Sequence, residues 1–248
     1  MSDQINSSSS TTKTKTLPVS AVLAVLLAVA AFLAGSFWTK IQFQGGKSQP
    51  TPQPAANAGQ PTQAPAVLGA AEQTKLLEGA ILIKGKDGAS ITMVEFSDLQ
   101  CPACAGAAPA VDQILEDYGD KIKLIFRHFP LTTIHPYARP AALASFCANE
   151  QGKFWEYHDK VFENQATLSE DALKQWAKEL GLNTTQFNAC LDSKKYASQV
   201  DTDTALGNQV GVAGTPTFFV NGKRVEWKDR TEGWFNALKR YVETELAS

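Results

Sequence analysis

Cys101 and Cys104 stand three apart in Cys101-Pro102-Ala103-Cys104, where the apolar run Ile91–Phe96 gives way to a helical pattern. Two thiols at that spacing can close a small disulfide ring that exchanges readily. The unpaired N–H groups and positive end of the helix favour a thiolate on the first sulfur. Pro102 suits the first helical position, because its missing N–H costs nothing there and its φ is already helical. The stretch reads as an exposed, redox-active dithiol in a strand–turn–helix. The competing chemistry for a lone Cys-x-x-Cys is half of a zinc site. No second such pair and no His pair lies at ligand spacing, so no metal is expected.

Glu95 lies six residues before Cys101, inside the apolar strand. A carboxylate there is unfavourable unless it is paired or protonated. The alternative is that Glu95 marks a strand edge and points to water.

The elements that position these groups follow from periodicity. Ile81–Gly85 reads as a short strand before a turn at Lys86-Asp87-Gly88. Ile91–Phe96 has the near-continuous apolar character of a buried central strand. Pro102 to about Tyr118 reads as a helix ended by Gly119, and Lys121–Phe129 as a second long strand. Strand, helix, strand implies a right-handed parallel unit. A helical stretch follows from about 135 to 207, within which Leu173, Trp176, Ala177 and Leu180 share one helix face, capped by Ser169. Thr217–Val220, Asn221-Gly222 and Lys223–Trp227 form a hairpin signal, and a last amphipathic helix runs from about Thr231 to Leu246. The class is α/β: a thioredoxin-like sheet with a helical subdomain inserted between its βαβ half and its C-terminal ββα half. Pro140 falls inside one expected helix and is read as starting it late or kinking it.

The first 70 residues do not belong to that domain. Residues 1–16 are polar, and the 22 residues from Leu17 to Trp38 carry no charge. About 20 apolar residues suffice to cross a bilayer. Length and the Phe37-Trp38 end favour an uncleaved anchor at 17–38 over a cleaved signal peptide. The lysines flanking it are balanced, so orientation rests on the chemistry, which places 1–16 in the cytoplasm. Residues 39–70 read as a disordered Pro/Gln/Ala linker, and 71–248 as the folded domain. A net charge of −2 gives no argument for nucleic acid as a partner. The Asn183 glycosylation triplet is too short to carry weight.

Over roughly residues 77–246 the chain resembles the DsbA-like thiol:disulfide oxidoreductases, in their membrane-anchored bacterial branch. The resemblance rests on Glu95–Cys104, Phe126–Leu131, Gly152–His158 and Gly214–Gly222, in that order. It implies a thioredoxin-like fold and, without any cofactor, disulfide exchange with extracytoplasmic proteins. Cys101 would be the attacking and attacked sulfur, and Cys104 the one that resolves the mixed disulfide. Pro216 would be cis and face the dithiol, leaving the Thr215 backbone free to pair with an extended substrate strand. Glu95 would exchange protons with Cys104. The implied partners are reduced extracytoplasmic proteins and a quinone-linked membrane thiol oxidase that reoxidises the dithiol, and a monomer is expected. Isomerase or reductase activity on the same scaffold is the alternative, with a tethered binding or chaperone module behind it. A low-complexity tether, with no folded N-terminal module for dimerisation, weighs against the isomerase.

Ala103 departs from strongly oxidising members, which carry His there; alanine offers only its backbone N–H to Cys101, so a less extreme thiolate is expected. Cys147 and Cys190 sit on apolar helix faces and are either buried free thiols or, as an oxidising compartment favours, a structural disulfide. His128, His135 and His158 are read as structural, and Phe154, Trp155 and Tyr157 as subdomain core.

Overall fold

The computed structural model describes residues 66–229 and 231–248. The tail at 1–16, the apolar segment 17–38 and nearly all of the linker lie outside the described residues. Among the described residues, no helix is long and apolar enough to cross a membrane.

The chain enters at residues 66–69, read from sequence as the end of the linker. They lie against the last strand instead: Arg224 N donates to Ala66 O and Leu68 N to Gly222 O, each at 2.9 Å. Leu68 is apolar and buried, which explains its recruitment to the sheet. Helix α1 (Ala70–Leu77) and strand β1 (Ile83–Gly85) follow, then β2 (Ile91–Ser97), α2 (Pro102–Tyr118) and β3 (Ile122–His128). The insertion holds five helices: α3 (Ala138–Asn149), α4 (Phe154–Glu163), α5 (Glu170–Glu179), α6 (Thr184–Asp192) and α7 (Ala197–Gln209). Strands β4 (Thr217–Val220) and β5 (Lys223–Arg224) and helix α8 (Gly233–Leu246) close the chain.

The sheet order is β1-β3-β2-β4-β5. β2 is central, parallel to β3 from Ile91↔Ile122 to Ser97↔His128 and antiparallel to β4. Alternation along β2 divides its two faces. Ile91 and Met93 pack with Ala107, Val111 and Ile114 of α2 and with Leu238 and Val242 of α8. Val94 and Phe96 pack on the other face with Leu76 of α1 and with Leu206 and Val210 around the end of α7. The insertion has a core of its own, built on α3 and including Phe146, Tyr157, Trp176 and Phe187.

Three details differ from the sequence reading or refine it. β5 is two residues long rather than five, although Val225 N still donates to Phe218 O at 2.9 Å. Beyond it, Trp227 leaves the sheet and its ring meets that of Trp234 edge-on, centroids 4.8 Å apart. Pro140 occupies the third position of α3, where the N–H it lacks has no intrahelical partner, so it neither delays nor kinks the helix. The turn Asn221-Gly222 has both φ angles positive, 47° and 77°, the backbone that a two-residue hairpin of this twist demands.

Candidate functional site

The strand β2 ends at Ser97, and three residues carry the chain to the N-cap of α2, which is Cys101. Pro102 takes the first helical position, and no acidic residue stands in the first turn to oppose a thiolate. Cys104 begins the inward stripe of α2, continued by Ala107, Val111 and Ile114 at helical spacing. Both thiols are free, so the structure shows the reduced dithiol. Pro102 and Ala103 are exposed, but the two thiols are not as the sequence implied: Cys101 is only 6% accessible and Cys104 not at all. The covering element is the loop before β4, where the Thr215–Pro216 peptide bond is cis and the Thr215 carbonyl oxygen lies 3.4 Å from Cys101 Sγ.

The two sulfurs are driven apart in acidity. The Cys104 thiol donates to the Cys101 sulfur, and this is the main reason that Cys101 is pulled down to about 5 from an ordinary 9.0. Burial opposes the fall, while the Thr215 side chain and the backbone N–H groups of Cys104 and Ala103 assist it. Cys104 is pushed far up, first by burial and then by its role as donor to Cys101. One sulfur is therefore a thiolate at neutral pH and its neighbour a thiol.

Glu95 does not point to water. It is 3% exposed, and burial raises its pKa above 4.5 against the lowering influence of His158 and Ser97. Cys147 and Cys190, on α3 and α6, are joined by a disulfide with Cα atoms 5.8 Å apart. His128 is fully buried, its Nε2 2.8 Å from Ser145 Oγ, and His158 Nδ1 lies 2.7 Å from Asp159 Oδ1. Among the described residues, no group of three His, Cys, Asp or Glu side chains could hold a metal ion.

Several side chains that sequence reasoning passed over hold the dithiol loop in place. Asp98 accepts from Gln100 N at 2.8 Å, Leu131 N at 2.9 Å and His135 Nδ1 at 2.8 Å, while its own N–H donates to Cys104 Sγ at 3.5 Å. Gln100 Oε1 accepts from Tyr137 N at 2.6 Å, and Gln165 Nε2 donates to Leu99 O and Cys101 O. The loop is thus fastened to the insertion at three points. An Asp just after a strand is a turn signal that could have drawn attention to Asp98. Gln165 carries no such signal, because its partners are more than 60 residues away.

The family model described as thioredoxin matches residues 78–240. The chain belongs to the thioredoxin family. BdbD from Bacillus subtilis, in its oxidised crystal structure, is 30% identical, with 67% of this chain and 92% of that one covered and a TM-score of 0.58. A thioredoxin-like oxidoreductase from Silicibacter pomeroyi DSS-3 is 25% identical over 73% of this chain and 99% of that one, with a TM-score of 0.59. Like these structures, this chain has an α/β thioredoxin-like fold, here with a helical insertion. It is also similar to an Na(+)/H(+) antiporter, NhaA 3 of Salinispora tropica, 41% identical over 142 residues. That match covers 57% of this chain but only 22% of the antiporter, and the antiport named for that protein does not pass to this one.

Proposed function

We propose that this protein introduces disulfides into reduced extracytoplasmic proteins by exchange through Cys101 and Cys104. The observation that carries the direction is the split in acidity between the sulfurs, with Cys101 at about 5 and Cys104 raised. A stabilised thiolate stabilises the reduced form, and a stable reduced form makes the disulfide a stronger oxidant. In one turnover a substrate thiolate attacks Cys101 Sγ of the disulfide and Cys104 leaves. A second substrate thiolate then attacks the mixed disulfide, so the substrate is oxidised and the dithiol reduced.

In this reading Thr215 and Pro216 receive the substrate strand, Glu95 exchanges protons with Cys104, and the Cys147–Cys190 bond is structural. Residues 17–38 anchor the chain and 39–70 tether the domain outside the membrane, where a quinone-linked thiol oxidase restores the disulfide. Exchange in the isomerase or reductase direction is the alternative, and a binding or chaperone module a further one.

The test is the reduction potential of the Cys101–Cys104 couple against glutathione. An oxidase should lie well above the roughly −270 mV typical of thioredoxin, and a value at or below that figure would make the protein a reductase. Thiol trapping in cells should find the pair mostly oxidised. Client folding that is indifferent to Cys101→Ser would leave only the binding reading.

A further inference from the structure

Cys104 leaves as a thiolate each time a substrate opens the ring, and attacks as one each time the ring closes. It has no exposure, so water does not solvate that charge and burial works against it. The fold supplies a donor in place of water. The backbone N–H of Asp98 is directed at Cys104 Sγ, 3.5 Å away. A fixed N–H aimed at an atom that gains charge stabilises the anion more than the neutral form, as an oxyanion hole does for oxygen.

The peptide unit that carries this N–H is held at both ends. Its carbonyl, that of Ser97, accepts from Phe129 N at 2.8 Å, just past the end of β3. From Asp98 onward the chain has left the sheet, and the fully buried carboxylate of Asp98 takes over the fastening. Its Oδ1 accepts from Gln100 N at 2.8 Å, and its Oδ2 from Leu131 N at 2.9 Å and His135 Nδ1 at 2.8 Å. The Asp98 carbonyl accepts from Cys101 N at 2.9 Å, so the backbone of one residue meets both cysteines. A turn alone would need the Gln100 bond and no more. The other two ties come from 33 and 37 positions away and lock the residue against the entry to the insertion.

We infer that the Asp98 carboxylate is a positioning group for the resolving step, holding the Asp98 N–H on Cys104 Sγ by its grip on Gln100, Leu131 and His135. The inference rests on the reading of Cys101–Cys104 as the exchanging pair. When a substrate thiolate attacks Cys101 Sγ, the ring S–S bond breaks and its electron pair leaves on Cys104. The N–H faces that charge until Glu95 returns a proton to the sulfur. In reoxidation the Cys101 thiolate attacks a partner disulfide and expels one partner thiolate. Cys104, its proton passed to Glu95, then attacks Cys101 Sγ under the same N–H. The ring disulfide forms and the second partner thiolate leaves, two electrons having passed to the partner.

Charge and position make opposite demands on Asp98. An ionised carboxylate so near the dithiol opposes the Cys104 thiolate by charge alone, and its removal on that ground would speed resolution. Removal of a positioning group slows it. The sign of the effect separates the two.

The experiment uses the reduced full-length chain and 5,5′-dithiobis(2-nitrobenzoate) in a stopped-flow instrument. The first thionitrobenzoate released reports attack by Cys101, and the second reports resolution by Cys104. Asp98→Asn removes the charge and one acceptor oxygen, and should slow the second phase about tenfold while leaving the first nearly unchanged. His135→Ala, at a side chain 16% exposed, is the milder change and should slow the second phase about threefold. His135→Asn places an amide N–H where Nδ1 stands and should restore the native rate. A second phase that is faster or unchanged in Asp98→Asn would overturn the inference. Equal slowing of both phases would show a collapsed loop and overturn it as well. If Asp98→Asn does not fold, the His135 pair decides: native-rate resolution in His135→Ala, or no rescue by His135→Asn, would overturn the inference. Absence of any second release in the wild type would remove the exchanging-pair reading itself.

Discussion

Arg127 Nη1 lies 2.9 Å from Asp203 Oδ1, and the two side chains are 2% and 1% exposed, so the pair ties β3 to α7 where water does not reach. Arg127 Nη2 also donates to Leu76 O and Glu78 O, and Asp203 Oδ2 accepts from His128 N. These bonds join α1, β3 and the insertion at one point. Asp203→Ala should therefore cost about 3–5 kcal/mol, because it strands a buried guanidinium. Replacing both residues, as Arg127→Met with Asp203→Leu, should recover much of that loss. Urea unfolding of the two variants beside the wild type checks both expectations, and a loss below about 1 kcal/mol for Asp203→Ala would contradict the first.

His128 makes the fold sensitive to acid. Burial, helped by the charge of nearby His158, lowers its pKa from 6.5 to about 3. The unfolded chain binds that proton first as pH falls, so the stability His128 contributes is complete above about pH 6.5 and drains between there and about pH 3. The slope is roughly 1.4 kcal/mol per pH unit for one proton. Glu95 has the opposite sign: its raised pKa contributes stability that is present below 4.5 and lost as pH rises through the folded value. The difference between wild type and His128→Gln in unfolding free energy from pH 7 to 4 isolates the histidine. The variant should show a flatter profile even if its plateau at pH 7 is lower.

Ala103 limits how far the thiolate is stabilised. Only its backbone N–H reaches toward Cys101, beside that of Cys104 and the Thr215 side chain. Ala103→His would place a cation-forming ring in the first turn of α2, next to the thiolate. The Cys101 midpoint, followed by thiolate absorbance at 240 nm, should fall below about 5. Each unit of that fall should make the couple about 30 mV more oxidising, by the two-electron conversion. An unchanged midpoint would mean that the ring turns away into solvent.

Much of this arrangement was legible in the sequence, for local reasons. Cys101, Pro102 and Cys104 announce themselves because a helix start, a proline and a thiol spacing are all short-range. Glu95 stands out because the residues around it in the strand are apolar. Asp98 lies in the same short stretch and was passed over, since an Asp at a strand end reads as turn chemistry. Its weight comes from what folds onto it, the Leu131 and His135 loop. Arg127 and Asp203 are separated by 76 residues, and nothing in either neighbourhood reveals the partner. The low exposure of Cys101 has the same origin, because the residue that covers it is Thr215, 114 positions further on.

The disulfide between Cys147 and Cys190 spans a sequence separation of 43 and joins α3 to α6 inside the core of the insertion. A closed loop of that length restricts the unfolded chain by about 4 kcal/mol in the chain-entropy account. Cys147→Ala with Cys190→Ala should lose a comparable amount, read as a lower urea midpoint. Gln186 Nε2 on α6 also donates to Glu150 Oε2, at the end of α3, at 3.4 Å, so the α3–α6 contact keeps a second, weaker tie at its edge. The insertion should therefore loosen rather than detach, with hydrogen exchange quickening first in α6. The dithiol loop is fastened to the insertion through Asp98, Gln100 and Gln165, none of which touches α6. The double variant should accordingly keep the wild-type Cys101 midpoint at room temperature while unfolding at lower urea. A shift of that midpoint together with the urea curve would show that the bond supports the dithiol directly.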